Sequence, residues 1–498
     1  MLNTRKCGVL MPLASLPSEE GIGTFGKHAY KFVDYIASAG VKIWQILPLL
    51  PLSYGNSPYS PCASRAFCHY YIDLNALQKD GLLTEDEIAS VNFGDDLRKV
   101  DYGALFSKKA NLLRKAYRRF DKSSGDWKRF LKLGEYDDYA IFITLKEKFY
   151  YADASQWGEY KTFDNRLIEG FIQSNREEFE FNLFTQYLCE KQWFALKAYA
   201  NGKGVEIMGD IPIYLAKDSV EVWKYGKELF SLADDGSPKE VAGVPPDAFS
   251  EDGQLWGNPV YDWEKMKEND YEWWKERLKY CLSVYDIVRL DHFRGFDRYY
   301  SIKSGETTAK NGEWKDGPKF ELFKNFLSAN VVAEDLGVID DGVRKLMRET
   351  GYPGMKVMSF GFNGDANSEH KPSNYRENCV GYTGTHDNSP LKTLFDENSP
   401  QKTVINDDLK LECERAAVKG SLKTVDGKIR AAIRVLLASR ARVAIIPFHD
   451  LKRFGEEARI NAPSVFSDNN WSFRYLPGDF DESTKKWLKT QIKRYGRG

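Results

Sequence analysis

Short apolar runs rich in Val, Ile and Leu recur along the chain, with helical patterns between them. The runs are continuous rather than alternating, which is typical of parallel strands covered on both faces of a sheet. Eight of them end at polar residues: 8–16, 42–50, 205–214, 287–293, 331–336, 355–362, 379–387 and 441–450. Apolar residues at three- and four-residue steps predict amphipathic helices in the gaps, for example over 28–38 and 183–200. Eight strands alternating with helices predict an α/β fold of the (β/α)8 TIM-barrel type.

The unequal spacing of the runs predicts segments inserted into one catalytic barrel that spans 1–498. Helical patterns rich in Lys, Glu, Tyr and Phe predict a mainly helical insertion over 70–180, after the second strand. Two further insertions are predicted, over 216–275 after the third strand and over 296–320 after the fourth. Their Gly, Pro and Asp content is typical of loops with turns. Loops that follow the strands line the active face of such a barrel, so these insertions are expected to build a binding cleft, with no separate C-terminal β domain.

Composition and charge exclude several classes of protein. The 71 Lys and Arg residues nearly balance 72 Asp and Glu residues, whereas nucleic-acid binders carry a basic excess. No apolar segment approaches the roughly 20 residues of a membrane span. The first run is interrupted by Pro12 and lacks a cleavage pattern, so it predicts a strand rather than a secretion signal. Seven Cys without a C-x-x-C pair favour reduced thiols and a cytoplasmic location, and the six His show no metal-ligand spacing.

Four predicted strands end in an acidic residue. These residues are Asp210, Asp291, Glu334 and Asp387. Each alone is equally typical of a helix N-cap or a loop ion pair, but strand ends of a barrel converge on one mouth, where the four would share a pocket. Crowded carboxylates differ in pKa, and retaining glycosyl transfer needs one ionised and one protonated carboxyl about 5–5.5 Å apart. Arg289 lies two residues before Asp291, on the same side of the strand, where it would keep that carboxylate ionised.

A glycine-rich segment offers a different interpretation. Residues 21–26 match G-x-G-x-x-G between a strand and a helix, which would suit a nucleotide-binding transferase. The next strand lacks the acidic residue of a dinucleotide site, and His28 occupies the position of the Ser or Thr of a phosphate-binding loop. A flexible loop between strand and helix is the favoured interpretation.

Longer motifs resemble a known family. They are Ser-Pro-Tyr-Ser (57–60), Gly-Asp-Ile-Pro-Ile-Tyr (209–214), Val-Ala-Gly-Val-Pro-Pro-Asp (241–247), Gln-Leu-Trp-Gly-Asn-Pro-Val-Tyr (254–261), Arg-Leu-Asp-His-Phe-Arg-Gly (289–295), Ala-Glu-Asp-Leu-Gly (333–337) and Thr-Gly-Thr-His-Asp-Asn (383–388). Together they resemble the 4-α-glucanotransferases, the amylomaltases or disproportionating enzymes of glycoside hydrolase family 77, which are relatives of the α-amylases. The resemblance covers nearly the whole chain and is weakest in the helical insertion. His449-Asp450 stands where the family pattern has Gln-Asp.

The resemblance implies a role for each matching residue. Asp291 would be the nucleophile, Glu334 the general acid/base, and Asp387 the carboxylate that stabilises the transition state. The implied substrate-binding residues are Tyr59, Asp210, Trp256, Arg289, His292, His386 and, at the rim, Asn461. The substrates would be α-1,4-glucans, maltooligosaccharides and glucose in starch, glycogen or maltodextrin metabolism. Neither a metal nor an organic cofactor is implied, and a monomer or homodimer is expected, with no nucleic-acid or membrane partner.

Two other functions remain open at this point. An α-amylase-type retaining hydrolase would use the same three carboxylates with water as acceptor, and segment 241–256 would be the gate that favours transfer instead. A catalytically inactive glycan-binding protein is the second alternative, against which the complete set of three carboxylates weighs. Product analysis distinguishes transfer from hydrolysis, and a trapped covalent sugar would exclude an inactive protein.

Overall fold

The computed structural model describes residues 4–53, 55–246, 250–396, 398 and 400–498. The strands of this part of the chain are β1 (Lys6–Leu10), β2 (Ile43–Gln45), β3 (Glu206–Ile211), β4 (Glu240–Val244), β5 (Gln254–Pro259), β6 (Ile287–Leu290), β7 (Arg298–Lys303), β8 (Glu313–Asp316), β9 (Val331–Ala333), β10 (Gly354–Val357), β11 (Cys379–Tyr382) and β12 (Val443–Pro447).

The α-helices follow in the same chain order. They are α1 (Lys27–Ser38), α2 (Leu74–Lys79), α3 (Glu85–Ala89), α4 (Tyr102–Arg119), α5 (Gly125–Leu133), α6 (Asp137–Lys148), α7 (Asn165–Ser174), α8 (Arg176–Gly202), α9 (Val220–Tyr225), α10 (Trp263–Glu268), α11 (Glu272–Val284), α12 (Arg294–Asp297), α13 (Lys319–Phe323), α14 (Asp341–Thr350), α15 (Met358–Gly361), α16 (Leu391–Leu394), α17 (Lys402–Arg415), α18 (Val425–Ala438), α19 (Phe448–Lys452) and α20 (Glu482–Arg494).

Eight parallel strands close into a barrel in the order β1-β12-β11-β10-β9-β6-β3-β2. Each overlaps one of the eight predicted apolar runs, so the predicted (β/α)8 barrel is confirmed. The strands are shorter than the runs because the remaining residues of each run continue into the loops of the active face. Two runs, 355–362 and 441–450, even enter the short helices α15 and α19. After β12 the described residues form helices and isolated bridges only.

The long connection between β2 and β3 is built from helices. Helices α2 to α7 lie within 70–180, and α8 leads from them back to β3. The longest helix, α8, packs against α4, α5, α6 and α7 of this connection and against α1 of the barrel. It therefore joins the helical insertion to the barrel wall.

The segments that follow β3 and β6 form a second sheet, which the sequence did not predict. It has the order β5-β4-β7-β8 and is antiparallel throughout. The expectation of loops with turns was therefore wrong for these segments. Their strands carry Gly, Asn, Lys and Glu, and β5 and β8 are largely exposed. Such strands lack the aliphatic run that marks a covered strand, so pairing between the two segments was not visible from either one alone.

The glycine-rich segment 21–26 is buried against the helical insertion. A Cβ atom at Gly26 would lie 2.4 Å from the carboxyl carbon of Asp73, so an acidic side chain fills the space that a phosphate would need. The segment is a loop between strand and helix, as expected, and it is packed against both the barrel and the insertion. The seven Cys are all buried and unpaired. None of the helices that the structure describes has the length and hydropathy needed to cross a bilayer.

Candidate active site

Carboxylates gather at the mouth of the barrel, where the strands end. They are Asp210 in β3, Asp291 after β6, Glu334 after β9 and Asp387 in the loop after β11. The strand pairing continues for one residue beyond the assigned strands, because Asp291 N donates to Ile211 O at 3.1 Å and Glu334 N donates to Leu290 O at 3.0 Å. This continued pairing fixes the backbone of both acidic residues at the rim of the sheet.

Arg289, the third residue of β6, is buried among these carboxylates. Its Nη1 atom lies 2.8 and 2.7 Å from the two oxygens of Asp210 and 3.0 Å from Oδ1 of Asp291. Burial opposes the guanidinium charge, but Asp210 and Asp291 outweigh that effect and raise the pKa of Arg289 well above its ordinary value. The site therefore holds one permanent cation, which favours the ionised form of the carboxylates around it.

Glu334 is half-buried and accepts two backbone hydrogen bonds. His292 N donates to Oε2 at 2.8 Å and Leu336 N donates to Oε1 at 2.7 Å. Burial and the Asp291 charge raise the pKa of Glu334 to about 7, against the opposing effects of Arg289 and of the two N–H groups. Near neutral pH this carboxyl therefore exchanges readily between its acid and its base form.

Asp387 has the opposite electrostatic surroundings. Burial alone would raise its pKa, but His386, whose Nε2 lies 3.2 Å from Oδ2, and Asn461, whose Nδ2 donates to Oδ1 at 2.7 Å, together lower the pKa of Asp387 to about 2. The site thus combines a permanently ionised carboxylate with a carboxyl that can carry a proton at neutral pH. Such a division suits charge stabilisation together with proton transfer at one reacting centre.

Tyr59 and His386 form a flat stack at the mouth. Their ring centroids are 4.8 Å apart and the ring planes differ by 10°. The Tyr59 hydroxyl donates to Oδ2 of Asp210 at 2.7 Å and lies 3.4 Å from Nδ1 of His386. Burial raises the pKa of Asp210, and the Arg289 charge opposes this increase. The Asp210 side chain accepts hydrogen bonds from two donors, Tyr59 and Arg289, beneath the stack. The two rings therefore form a flat, partly apolar surface at the mouth, and the polar Asp210 side chain lies below it.

Trp256 and His292 lie on another side of the mouth. Their rings meet edge to face at 4.9 Å, and the Trp256 indole N–H donates to Oε1 of Gln254 at 3.1 Å. His292 has a positive φ of 46°, a conformation that aims its N–H at Glu334. Burial lowers the pKa of His292 to about 4, so its ring is neutral near pH 7.

The hairpin of β4 and β5 carries Trp256, and most of segment 241–256 belongs to it. Residues 247–249, which include the last residue of the motif 241–247, lie outside the described part of the chain. Trp256 itself is 37% exposed, so part of this side chain is accessible to a ligand.

A loop after β12, residues 459–474, closes the rim and was missed by sequence reasoning except at Asn461. We call it the rim loop. Asn461 N donates to His386 O at 3.1 Å, and Arg459 Nη2 donates to Asp387 O at 3.2 Å. The Trp471 ring lies 6.0 Å from that of His386. No pattern in the sequence marks Arg459 or Trp471, because their partners are distant in the chain.

The unusual pair His449-Asp450 lies behind the mouth, fully buried. Asp450 accepts from the Thr383 hydroxyl at 2.6 Å and from Leu391 N at 2.7 Å. It therefore braces the loop after β11, while His449 packs 3.7 Å from it. Within the described residues, no group of three or more His, Cys, Asp or Glu side chains is arranged to hold a metal ion.

Comparison with known proteins gives one consistent result. A family model described as 4-alpha-glucanotransferase matches residues 11–478. The 4-alpha-glucanotransferase of Clostridium butyricum is 40% identical over 98% of this chain and 100% of its own length. That of Streptococcus pneumoniae (strain ATCC BAA-334 / TIGR4) is 39% identical over 98% of this chain and 96% of its own length.

Solved structures agree. An amylomaltase from Streptococcus agalactiae in complex with acarbose superposes with a TM-score of 0.93 at 37% identity, over 99% of this chain and 100% of that one. An amylomaltase from Corynebacterium glutamicum superposes with a TM-score of 0.78 at 18% identity, over 100% of this chain and 76% of that one, which shows the shared fold.

Proposed function

The chain belongs to the 4-alpha-glucanotransferase family, glycoside hydrolase family 77, and from this membership we propose that Asp291, Glu334 and Asp387 transfer α-1,4-glucan segments by a retaining double displacement. The observation that carries the proposal is the electrostatic division of the site. Glu334 has a pKa near 7, which Asp291 raises and Arg289 lowers. Asp387 has a pKa of about 2 and stays ionised.

In the first displacement, a carboxylate oxygen of Asp291 attacks the anomeric carbon of a donor glucose unit. Glu334 gives its proton to the glycosidic oxygen as the bond to the leaving chain breaks, and a β-linked glycosyl-enzyme ester forms. The Arg289 guanidinium lies 3.0 Å from the Asp291 carboxyl oxygen and presents a positive charge to this nucleophile. Asp387 supplies negative charge to the oxocarbenium-like transition state.

In the second displacement, Glu334 acts as a base. It removes the proton from the 4-hydroxyl of an arriving sugar, whose oxygen attacks the anomeric carbon and releases Asp291. Two inversions restore the α configuration. Water in place of the sugar would give hydrolysis, so transfer requires an acceptor that is held long enough to exclude water.

Flat aromatic faces suit the apolar faces of glucose, and the mouth offers them on two sides. We assign the Tyr59–His386 stack to the reacting glucose, with Asp210 as its polar support. Trp256 and His292 would contact neighbouring sugars, and Asn461 would act at the rim, where it also holds Asp387. The hairpin that carries Trp256 is our proposed gate for acceptors.

The physiological setting is proposed on the same basis. The substrates would be α-1,4-glucans, maltooligosaccharides and glucose. A cytoplasmic location is supported by seven unpaired, buried Cys, which fit a reducing compartment. A monomer or homodimer stays a prediction.

Incubation with maltotriose tests the function. Transfer predicts glucose together with maltooligosaccharides longer than three units, at a constant number of reducing ends. A net gain in reducing ends without longer products would instead indicate the α-amylase-type hydrolase. Binding of maltotriose without any new product would indicate a glycan-binding protein.

A further inference from the structure

The rim loop contains a bulky residue in a strained backbone conformation, Trp471. Its φ of 63° is rare for a bulky side chain and persists only where surrounding contacts impose it. Two hydrogen bonds do so here. Trp471 N donates to Ile460 O at 2.7 Å, and Trp471 O accepts from the Tyr102 hydroxyl at 2.9 Å.

The second bond comes from the helical insertion, at the first residue of α4. The segment before α4 pairs with the rim loop in a strand-like way. Val100 N donates to Ser472 O at 2.8 Å and Arg474 N donates to Arg98 O at 2.7 Å, with an antiparallel bridge between Lys99 and Phe473. We call residues 98–102 the clamp segment. Because Val100 and Ser472 are buried, the clamp segment and the rim loop are firmly packed against each other.

The Trp471 side chain carries the contact to the mouth of the barrel. Its ring lies 5.7 Å from the Tyr59 ring at 41° and 6.0 Å from the His386 ring at 39°. It thus packs against both members of the stack, and it also contacts the apolar side chains inside the barrel. Through its N–H bond to Ile460, the same residue holds the backbone beside Asn461, whose amide binds Asp387.

We propose that Trp471 is a positioning residue for the reacting-glucose pocket and that the helical insertion holds it in place through the Tyr102 hydroxyl. The proposal rests on the proposed function, since it assigns a task to the same pocket. The helical insertion would then help to position the active site. The clamp segment holds the rim loop and its residue Trp471, and the Trp471 ring holds the Tyr59–His386 stack.

Removal of one oxygen atom tests this chain of contacts. In Tyr102→Phe the ring stays and only the bond to Trp471 O is lost, so kcat on maltotriose should fall about fivefold with little change in KM. The matched control is Tyr35→Phe. Tyr35 is also half-buried and donates to a backbone carbonyl, Asp481 O at 3.0 Å, but this bond joins α1 to the residue before α20 and does not involve the rim loop. Its kcat should equal that of the wild type.

Two substitutions of Trp471 sharpen the test. Trp471→Ala should lower kcat about 50-fold, and Trp471→Phe, which restores an aromatic ring, should recover most of that loss. A residue that merely stabilised the fold would lower the melting temperature without this pattern in kcat.

The outcome separates the inference from the proposed function. Wild-type kcat in Tyr102→Phe and in Trp471→Ala, with Asp291→Asn inactive, overturns the positioning role and leaves the proposed function intact. Full activity of Asp291→Asn overturns the proposed function itself. Should Trp471→Ala fail to fold, Tyr102→Phe alone decides, because it removes no packing volume.

Discussion

Two glutamates in this protein have the same raised pKa, about 7, and different surroundings. Glu20 lies under the helical insertion, and Glu334 lies at the barrel mouth. Burial is the main cause of the raised pKa in both. Only their partners and their access to solvent separate them.

Glu20 is closed off from any substrate. It is 1% exposed, and its Oε2 atom accepts from Nζ of Lys109, which is itself fully buried, at 2.8 Å. Its Oε1 atom accepts from Leu74 N at 3.0 Å. These bonds join the loop after β1 to the insertion helices α4 and α2, so Glu20 serves to hold two parts of the fold together.

Glu334 is half-open and faces a second carboxylate rather than a lysine. Its oxygens bind backbone N–H groups, which leave the carboxyl free to gain and lose a proton, and Asp291 lies close enough to raise its pKa. A raised pKa alone therefore does not identify a catalytic carboxyl, whereas an exposed face beside a second carboxyl group in the cleft does.

Removal of the nucleophile should have the largest effect. Asp291→Asn should lower turnover of maltotriose by about 10⁴-fold or more, because no covalent intermediate can form. The fold should persist, since Arg289 keeps its bonds to Asp210. Product formation is measured by chromatography, with Asp291→Ala as a control against reversion of Asn to Asp. Turnover near the wild-type rate would refute the assignment.

Replacing each glutamate by glutamine tests whether the two residues have different roles. Glu334→Gln should lower turnover about 10³-fold, because the leaving oxygen then receives no proton. Glu20→Gln removes the same charge and should leave turnover within about twofold of the wild type at temperatures where it stays folded. Equal losses in the two variants would show that burial, and not position in the cleft, governs their effect.

Removal of the partner of Glu20 should act on stability instead. Lys109→Met leaves a buried carboxylate without its cation and should lower the free energy of unfolding by about 3–5 kcal/mol. Denaturant unfolding measures this change, while kcat of the folded fraction should stay near that of the wild type. A stable variant with a damaged kcat would contradict the purely structural role of this pair.

The pH dependence should also divide between the two residues. The first displacement needs protonated Glu334, so kcat/KM should fall about tenfold per pH unit above an apparent pKa near 7. Glu20 affects stability instead. The folded protein keeps its proton up to about pH 7, whereas the unfolded chain releases it near 4.5, so the free energy of unfolding falls as pH rises through this window.

Glu20→Gln should therefore weaken the pH dependence of stability and leave the pH profile of kcat/KM unchanged. A shift of the activity profile in this variant would tie Glu20 to the chemistry and would contradict the separation of the two sites.

The barrel was predictable from sequence because its strands are covered on both faces, and continuous aliphatic runs result. The four acidic residues were visible for a related reason, since each ends such a run. The second sheet was not predictable, because its strands carry mixed polar and apolar residues and pair across two separate segments. The contact of Tyr102 with Trp471 joins positions 369 residues apart, and no local pattern could announce it.

The hydrogen bonds and ion pairs of the site could also not be predicted in full from the sequence. Sequence position suggested that Arg289 would lie beside Asp291, but the bonds from Tyr59 and Arg289 to Asp210 depend on the closed barrel. Asn461 entered only through the family resemblance, and its bond to Asp387 became visible only with the rim loop in place.

Trapping of the covalent intermediate tests whether Asp291 is the nucleophile. Glu334→Gln is mixed with an α-maltotriosyl fluoride, whose leaving group needs no proton, and is then quenched in acid, digested with pepsin and analysed by mass spectrometry. With Asp291 as the nucleophile, we expect one maltotriosyl unit on the peptide that contains Asp291. A sugar on any other peptide, or no adduct while the variant still releases fluoride, would contradict it.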